Sequence, residues 1–128
     1  MADPAKCRFA KSHEWADAGA DGVTVGISEH AQHEITDVVF VELPKVGRKV
    51  KAGEACAVVE SVKAAFDIYA PVSGEIVAAN DAVIKDPALV NRSPFEQGWF
   101  FRIKGCDAKE LEALMDHAKY QESLKAAS

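Results

Sequence analysis

The sequence predicts a mainly β fold: a sandwich or flattened barrel of small sheets with short peripheral helices. Two observations carry this. Short β-type runs recur along the chain, and Gly47, Gly53, Pro71 and Gly74 cut its middle into hairpin-length pieces. Strands this short and this evenly broken build a sandwich or barrel rather than a βαβ fold.

Val23-Thr24-Val25 lies between Gly22 and Gly26 and reads as a strand bounded by breakers. Ser28 is placed to cap a short turn through Glu29-His30-Ala31-Gln32. Residues 38–43 form a nearly continuous apolar run, the pattern of a strand buried on both faces. Ala55-Cys56-Ala57-Val58-Val59 and Phe66-Asp67-Ile68-Tyr69-Ala70 read as two strands joined through Glu60-Ser61-Val62-Lys63-Ala64. In Trp99-Phe100-Phe101-Arg102-Ile103-Lys104, Phe101 and Ile103 alternate with charged residues and close the sheet. Asp107 with Glu110 reads as a capping-box variant opening a helix. Leu111, Leu114, Met115 and Ala118 then make one apolar stripe for packing on the barrel. From Gln121 onward the chain reads as polar and frayed. With no low-complexity linker in view, residues 1–128 are expected to form one domain, with its core over about 8–105 and a C-terminal helix over about 107–120.

A chain of 128 residues with 48% hydrophobic content can bury a modest core without staples. Its net charge of −5 argues against nucleic acid or an anionic membrane as partner, since both call for a cationic face. No apolar run approaches the length of a membrane span. The start, Met-Ala-Asp-Pro-Ala, carries no targeting signature, so a cytoplasmic chain or a processed mature form is expected. Cys7, Cys56 and Cys106 are odd in number and widely spaced, which fits neither a disulfide framework nor a C-x-x-C motif. Cys56 sits in an apolar run and reads as core. No nucleophilic Ser or Cys has a motif around it, so His13, near Trp15, reads as a packing residue. His30, His33 and Glu34 offer too few ligands at a metal spacing, and no metal is assigned.

Lys63 is the focus of the chain. A lysine at a hairpin tip has no fixed neighbours, and its flexible stem can carry a group outward. The segment Glu60 to Gly74, ESVKAAFDIYAPVSG, resembles the lipoyl-attachment hairpin of the glycine cleavage system H-protein family, within the biotinyl/lipoyl-domain superfamily. The resemblance covers nearly the whole chain: Ser12-His13-Glu14-Trp15, Val25-Gly26-Ile27, Ala31-Gln32, Asp37 through Pro44, Leu89-Val90-Asn91 and Gly98-Trp99 stand at the family's landmarks. Biotin carriers usually flank the lysine with methionines and dehydrogenase lipoyl domains with Asp-Lys-Ala. Val62-Lys63 and Ser-His-Glu-Trp match neither.

The resemblance implies a barrel-sandwich hybrid carrying lipoate as an amide on Lys63, and a non-catalytic carrier. A pyridoxal-phosphate glycine decarboxylase (P protein) would load the aminomethyl group of glycine onto the arm. A tetrahydrofolate-dependent aminomethyltransferase (T protein) would unload it, and dihydrolipoyl dehydrogenase (L protein) would reoxidise the dithiol. A lipoate ligase or lipoyltransferase would read Glu60, Ser61 and Val62 beside the lysine. Ser12, Glu14 and Asp67 stand where the family lines the cleft for the folded-back arm, two carboxylates and a hydroxyl for a protonated amine. The carrier is expected to be a monomer, mitochondrial if eukaryotic and cytoplasmic if bacterial.

Two positions depart from the family pattern. Phe66 replaces a usually small residue, a ring that would cover the arm or crowd the tip. Thr36 replaces a usual glycine, and a β-branched residue at positive φ would be strained, so a shifted turn is expected there. The rival readings are an H-like relay that donates lipoyl groups to 2-oxo acid dehydrogenases, an enzyme using Cys56 or Cys106 as nucleophile, and an unlipoylated structural protein. Glu14 and Asp67 favour glycine cleavage over the relay. A cysteine nucleophile would need an electropositive setting that neither cysteine has.

Overall fold

The computed structural model describes residues 3–127 as two antiparallel sheets with helices at the edges. After a 3-10 turn over Pro4–Lys6 come β1 (Arg8–Phe9), β2 (Glu14–Gly19), β3 (Gly22–Ile27), α1 (Glu29–Ile35), β4 (Val38–Glu42) and β5 (Lys49–Val50). Then follow β6 (Ala55–Ser61), β7 (Ala65–Tyr69), β8 (Gly74–Ala79), α2 (Asp81–Lys85), α3 (Leu89–Arg92), β9 (Phe101–Lys104), α4 (Ala108–Glu112) and α5 (His117–Ala127). One sheet has six strands in the order β1-β2-β3-β9-β8-β5, and the other three in the order β4-β6-β7. Among the described residues no continuous barrel closes. Val25, Ile27, Ile76, Phe101 and Ile103 of the larger sheet meet Val41, Val59 and Ile68 of the smaller in one buried cluster.

The alternation expected at the end of the sheet is present: Phe101 and Ile103 are buried while Lys104 is exposed. Ser28 caps α1 as expected, its Oγ accepting the Ala31 N–H at 3.1 Å, and the helix runs beyond Gln32 to Ile35. Gly26 does not break β3. It lies within the strand, where a Cβ would sit 2.6 Å from the Trp15 ring, so glycine leaves the room that Trp15 occupies.

Four other expectations are corrected. The run 38–43 is an edge strand rather than one buried on both faces. A bulge between Val38 and Phe40 turns Val39 and Phe40 outward, 55% and 48% exposed. The expected single helix is two, α4 and α5. Met115 leaves the helical path to pair with Phe9, its N–H donating to the Phe9 carbonyl at 2.9 Å and its own carbonyl accepting at 2.7 Å. The apolar stripe is therefore divided, with Leu111 and Leu114 on the main core and Met115 on a second cluster of Cys7, Phe9, Trp15 and Tyr120. Nor do the residues after Gln121 fray: α5 continues to Ala127 and Leu124 packs on that second cluster. Asp107 caps α4 through Lys109 N–H at 2.9 Å, but Glu110 closes no box. Its carboxylate accepts from Ser73 N–H at 3.1 Å and Ser73 Oγ at 2.7 Å, pinning the β7–β8 loop.

At the α1–β4 junction the turn does not rebuild itself around the β-branched residue. Thr36 takes φ 68° and ψ −153°, a region that only glycine visits readily. Asn91 holds it there, donating to the Thr36 carbonyl at 2.7 Å and accepting from Val38 N–H at 2.9 Å. Thr36→Gly is expected to raise unfolding stability in urea melts by about 1 kcal/mol, the strain relieved less the added freedom of the unfolded chain. A loss of stability would mean that the Thr36 side chain contributes more than its backbone costs.

Candidate functional site

β6 and β7 form a hairpin whose register, Val59 opposite Phe66 and Glu60 opposite Ala65, puts Val62 and Lys63 at its tip. The tip is built by Ser61. Its Oγ accepts the N–H groups of Lys63 at 3.1 Å and Ala64 at 3.2 Å, while its N–H donates to the Ala64 carbonyl at 2.9 Å. Val62 N–H donates to the Asp37 carbonyl at 3.1 Å, which ties the tip to the start of β4. Val62 is 69% exposed, and Glu60 and Lys63 are exposed beside it. The backbone is thus braced on both sides of a lysine whose side chain stands in water.

A cleft of about 330 Å³ lies between α1 and β7. Ile27, Ala31, Ile35, Phe66 and Ile68 make its apolar wall, and Ser12, His13, His30, Glu34 and Asp67 its polar rim. Phe66 is half-buried and packs against the main core, so it walls the cleft instead of crowding Lys63. Asp67 is exposed at the rim. Ser12 and Glu14 meet directly: Ser12 Oγ donates to Glu14 Oε1, and Tyr69 N–H donates to Glu14 Oε2 at 3.0 Å. Glu14 is only 1% exposed and lies behind the cleft, not on its wall. Burial raises its pKa against the opposing effect of its two donors.

The remaining titratable groups follow from their surroundings. The His13 ring lies 4.9 Å from that of His30 and is pushed below the ordinary imidazole pKa, by burial first and by His30 second. His30 is 3.8 Å from Glu34 along α1. Burial pushes the thiols of Cys7 and Cys56 up to about 12, which leaves neither a nucleophile at neutral pH. Cys106 is raised as well, by burial and then by Glu110.

Against known proteins, residues 7–127 match the glycine cleavage H-protein family. The chain belongs to that family. It is 57% identical over 123 residues to the glycine cleavage system H proteins of Escherichia coli O139:H28 (strain E24377A / ETEC) and Salmonella newport (strain SL254), covering 95% of each chain. The crystal structure of a glycine cleavage system H protein from Mycobacterium marinum is similar with a TM-score of 0.83 at 35% identity, over 96% of this chain and 99% of that one. The family's fold expectation therefore stands: a barrel-sandwich architecture with its lysine hairpin on the smaller sheet.

Sequence reasoning about this H-protein family member picked out Ser12, Glu14, Asp67 and the hairpin but not Tyr120, whose hydroxyl lies 2.7 Å from His13 Nδ1 and 2.6 Å from Ser28 Oγ. Nothing local marks it, since those partners lie 107 and 92 residues away along the chain.

Glu14 has a pH signature. Its folded carboxyl keeps a proton to higher pH than the unfolded one, so the folded state binds more protons in that interval. Wild-type stability therefore falls as pH rises from the ordinary value of 4.5 through the raised pKa. In urea melts, Glu14→Gln is expected to gain stability relative to wild type across that interval and to run parallel above it. Parallel curves throughout would mean that Glu14 carries no such penalty.

Proposed function

We propose that this chain carries lipoate as an amide on Lys63 Nζ and serves as the lipoyl shuttle of the glycine cleavage system. What supports the reading is the combination of family membership with an exposed lysine on a braced hairpin, close in sequence to the strand that walls an apolar cleft. Lipoate needs an accessible amine and an apolar berth, and the tip and the cleft fit both needs. When bound, it supplies a cyclic disulfide that takes up the one-carbon aminomethyl unit of glycine and the electrons later returned.

The protein's own residues do the rest. Acylation converts a charged amine into a neutral amide, which removes the cost of laying the stem along Ile27, Ala31, Ile35, Phe66 and Ile68. An ammonium at the cleft meets Asp67 and Ser12 on its polar rim, with Glu14 behind Ser12. Glu14 already accepts from Ser12 and Tyr69, and a carboxylate has lone pairs for a further donor. The apolar wall keeps water from a group that hydrolysis would destroy. Glu60, Ser61 and Val62 present one fixed backbone register to the lipoate ligase or lipoyltransferase, which must choose this lysine among many. P, T and L proteins would each meet the same exposed hairpin, and this chain would catalyse none of their steps. The bacterial relatives point to the cytoplasm. Their names favour glycine cleavage over a lipoyl relay to 2-oxo acid dehydrogenases.

Intact mass decides the attachment. Incubated with lipoate, ATP and a lipoate ligase, the protein is expected to gain one lipoyl group, and Lys63→Ala none. A wild type that stays unmodified, beside a control H protein that is modified, would overturn the reading.

A further inference from the structure

Tyr120 enters the small second cluster from α5, its ring stacked on Phe9 with centroids 4.3 Å apart and planes 5° from parallel. Apolar packing alone would be satisfied by phenylalanine. The hydroxyl instead passes beyond the cluster and reaches two elements that border the cleft. One is Ser28, the cap of α1, at 2.6 Å; the other is His13 Nδ1, at 2.7 Å, in the loop that carries Ser12. His13 has φ 77°, unusual for a residue with a side chain, so the loop needs external support. Its backbone supplies part of it: His13 N–H donates to Ala10 at 3.0 Å, and Ser28 N–H donates to the His13 carbonyl at 2.9 Å.

One proton arrangement satisfies every group. Ala31 N–H donates to Ser28 Oγ, Ser28 Oγ–H donates to the Tyr120 oxygen, and Tyr120 O–H donates to a neutral His13 Nδ1. Bonds in such a chain polarise one another in a buried setting. The groups facing His13 are Tyr120 from α5, His30 and Glu34 from α1, and Ser12 with Glu14 from its own loop and strand. Burial first, and His30 second, lower the His13 pKa and so favour the neutral ring that accepts from Tyr120.

We propose that Tyr120 is a positioning residue for the arm cleft: through its hydroxyl, the C-terminal helix latches the cap of α1 and the Ser12–His13 loop together, and so sets the distance between the two polar sides of the cleft. The role of the cleft as the arm's berth rests on the lipoyl-carrier reading, whereas the latch itself is a property of the unmodified chain. It follows that a change in α5 reaches both sides of the cleft at once, although none of the described residues of α5 lines it.

Tyr120→Phe tests this, because it keeps the stack on Phe9 and removes only the hydroxyl. In the unmodified protein, amide hydrogen exchange is expected to rise about fivefold at Ala31 and Ser28, the loss of roughly one net hydrogen bond. Ile76, whose N–H donates to Arg48 across the distant β5–β8 edge, is expected to exchange as in wild type. Wild-type exchange at Ala31 and Ser28, or an equal rise at all three amides, would overturn the latch, the second because it would mark mere global destabilisation. With lipoylated protein, the loaded group is expected to hydrolyse about fivefold faster in the variant. If neither protein gains lipoyl mass, the carrier reading falls while the exchange result still decides the latch.

Discussion

The bond that most of this architecture answers to is the one between Glu14 and the backbone of Tyr69. Glu14 opens β2 of the larger sheet and Tyr69 ends β7 of the smaller, so a 3.0 Å hydrogen bond joins the sheets across the core. A carboxyl with 1% exposure is tolerable only when its oxygens find donors. Ser12 supplies the second donor, and that requirement fixes the loop before β2. The loop in turn carries His13 at positive φ, which needs Ser28 and Tyr120 to hold it. One buried acid thus organises a chain of contacts from the hairpin strand to the C-terminal helix, and the cleft lies along it.

The parts of the fold legible in the sequence are those set by neighbours a few positions away. Phe101 and Ile103 alternate with charges because one face of β9 is buried, and Ser28 caps because the next turn needs an acceptor. The run at 38–43 misleads because an edge strand and a central strand can carry the same apolar residues. Which it becomes depends on whether another strand pairs beyond it, a fact of the whole sheet. Glu110 misleads in the same way: its spacing from Asp107 fits a capping box, but Ser73 offers two donors from a distant loop. Of the candidate site, Lys63, Ser12, Glu14 and Asp67 stand out by motif, yet their depth does not. Only the packed structure separates the exposed Asp67 from the buried Glu14.

Phe66 and Thr36, the two positions expected to depart from the family pattern, fall on the same side of the molecule. Phe66 forms part of the apolar wall of the cleft from β7, while Thr36 ends the helix that forms the opposite wall. Neither touches the Ser61 turn that presents Lys63. Strain at Thr36 is contained by Asn91, which bonds to both sides of the turn.

The hairpin tip and the cleft are held by contacts of different range in the chain. The tip is held by bonds within Ser61–Ala64 and one bond to Asp37, so its backbone is defined while the Lys63 side chain remains in solvent. The cleft is held by contacts that span the chain: Glu14 to Tyr69, Tyr120 to Ser28 and His13, and Asn91 to the end of α1. Local bonds can be made and presented without disturbing the core. Long-range bonds join elements far apart in the chain, as Asn91 does in bonding to Gln32, Thr36 and Val38. Exposure at Lys63 and close burial around Glu14 are therefore compatible in a small fold, because different parts of the chain supply them.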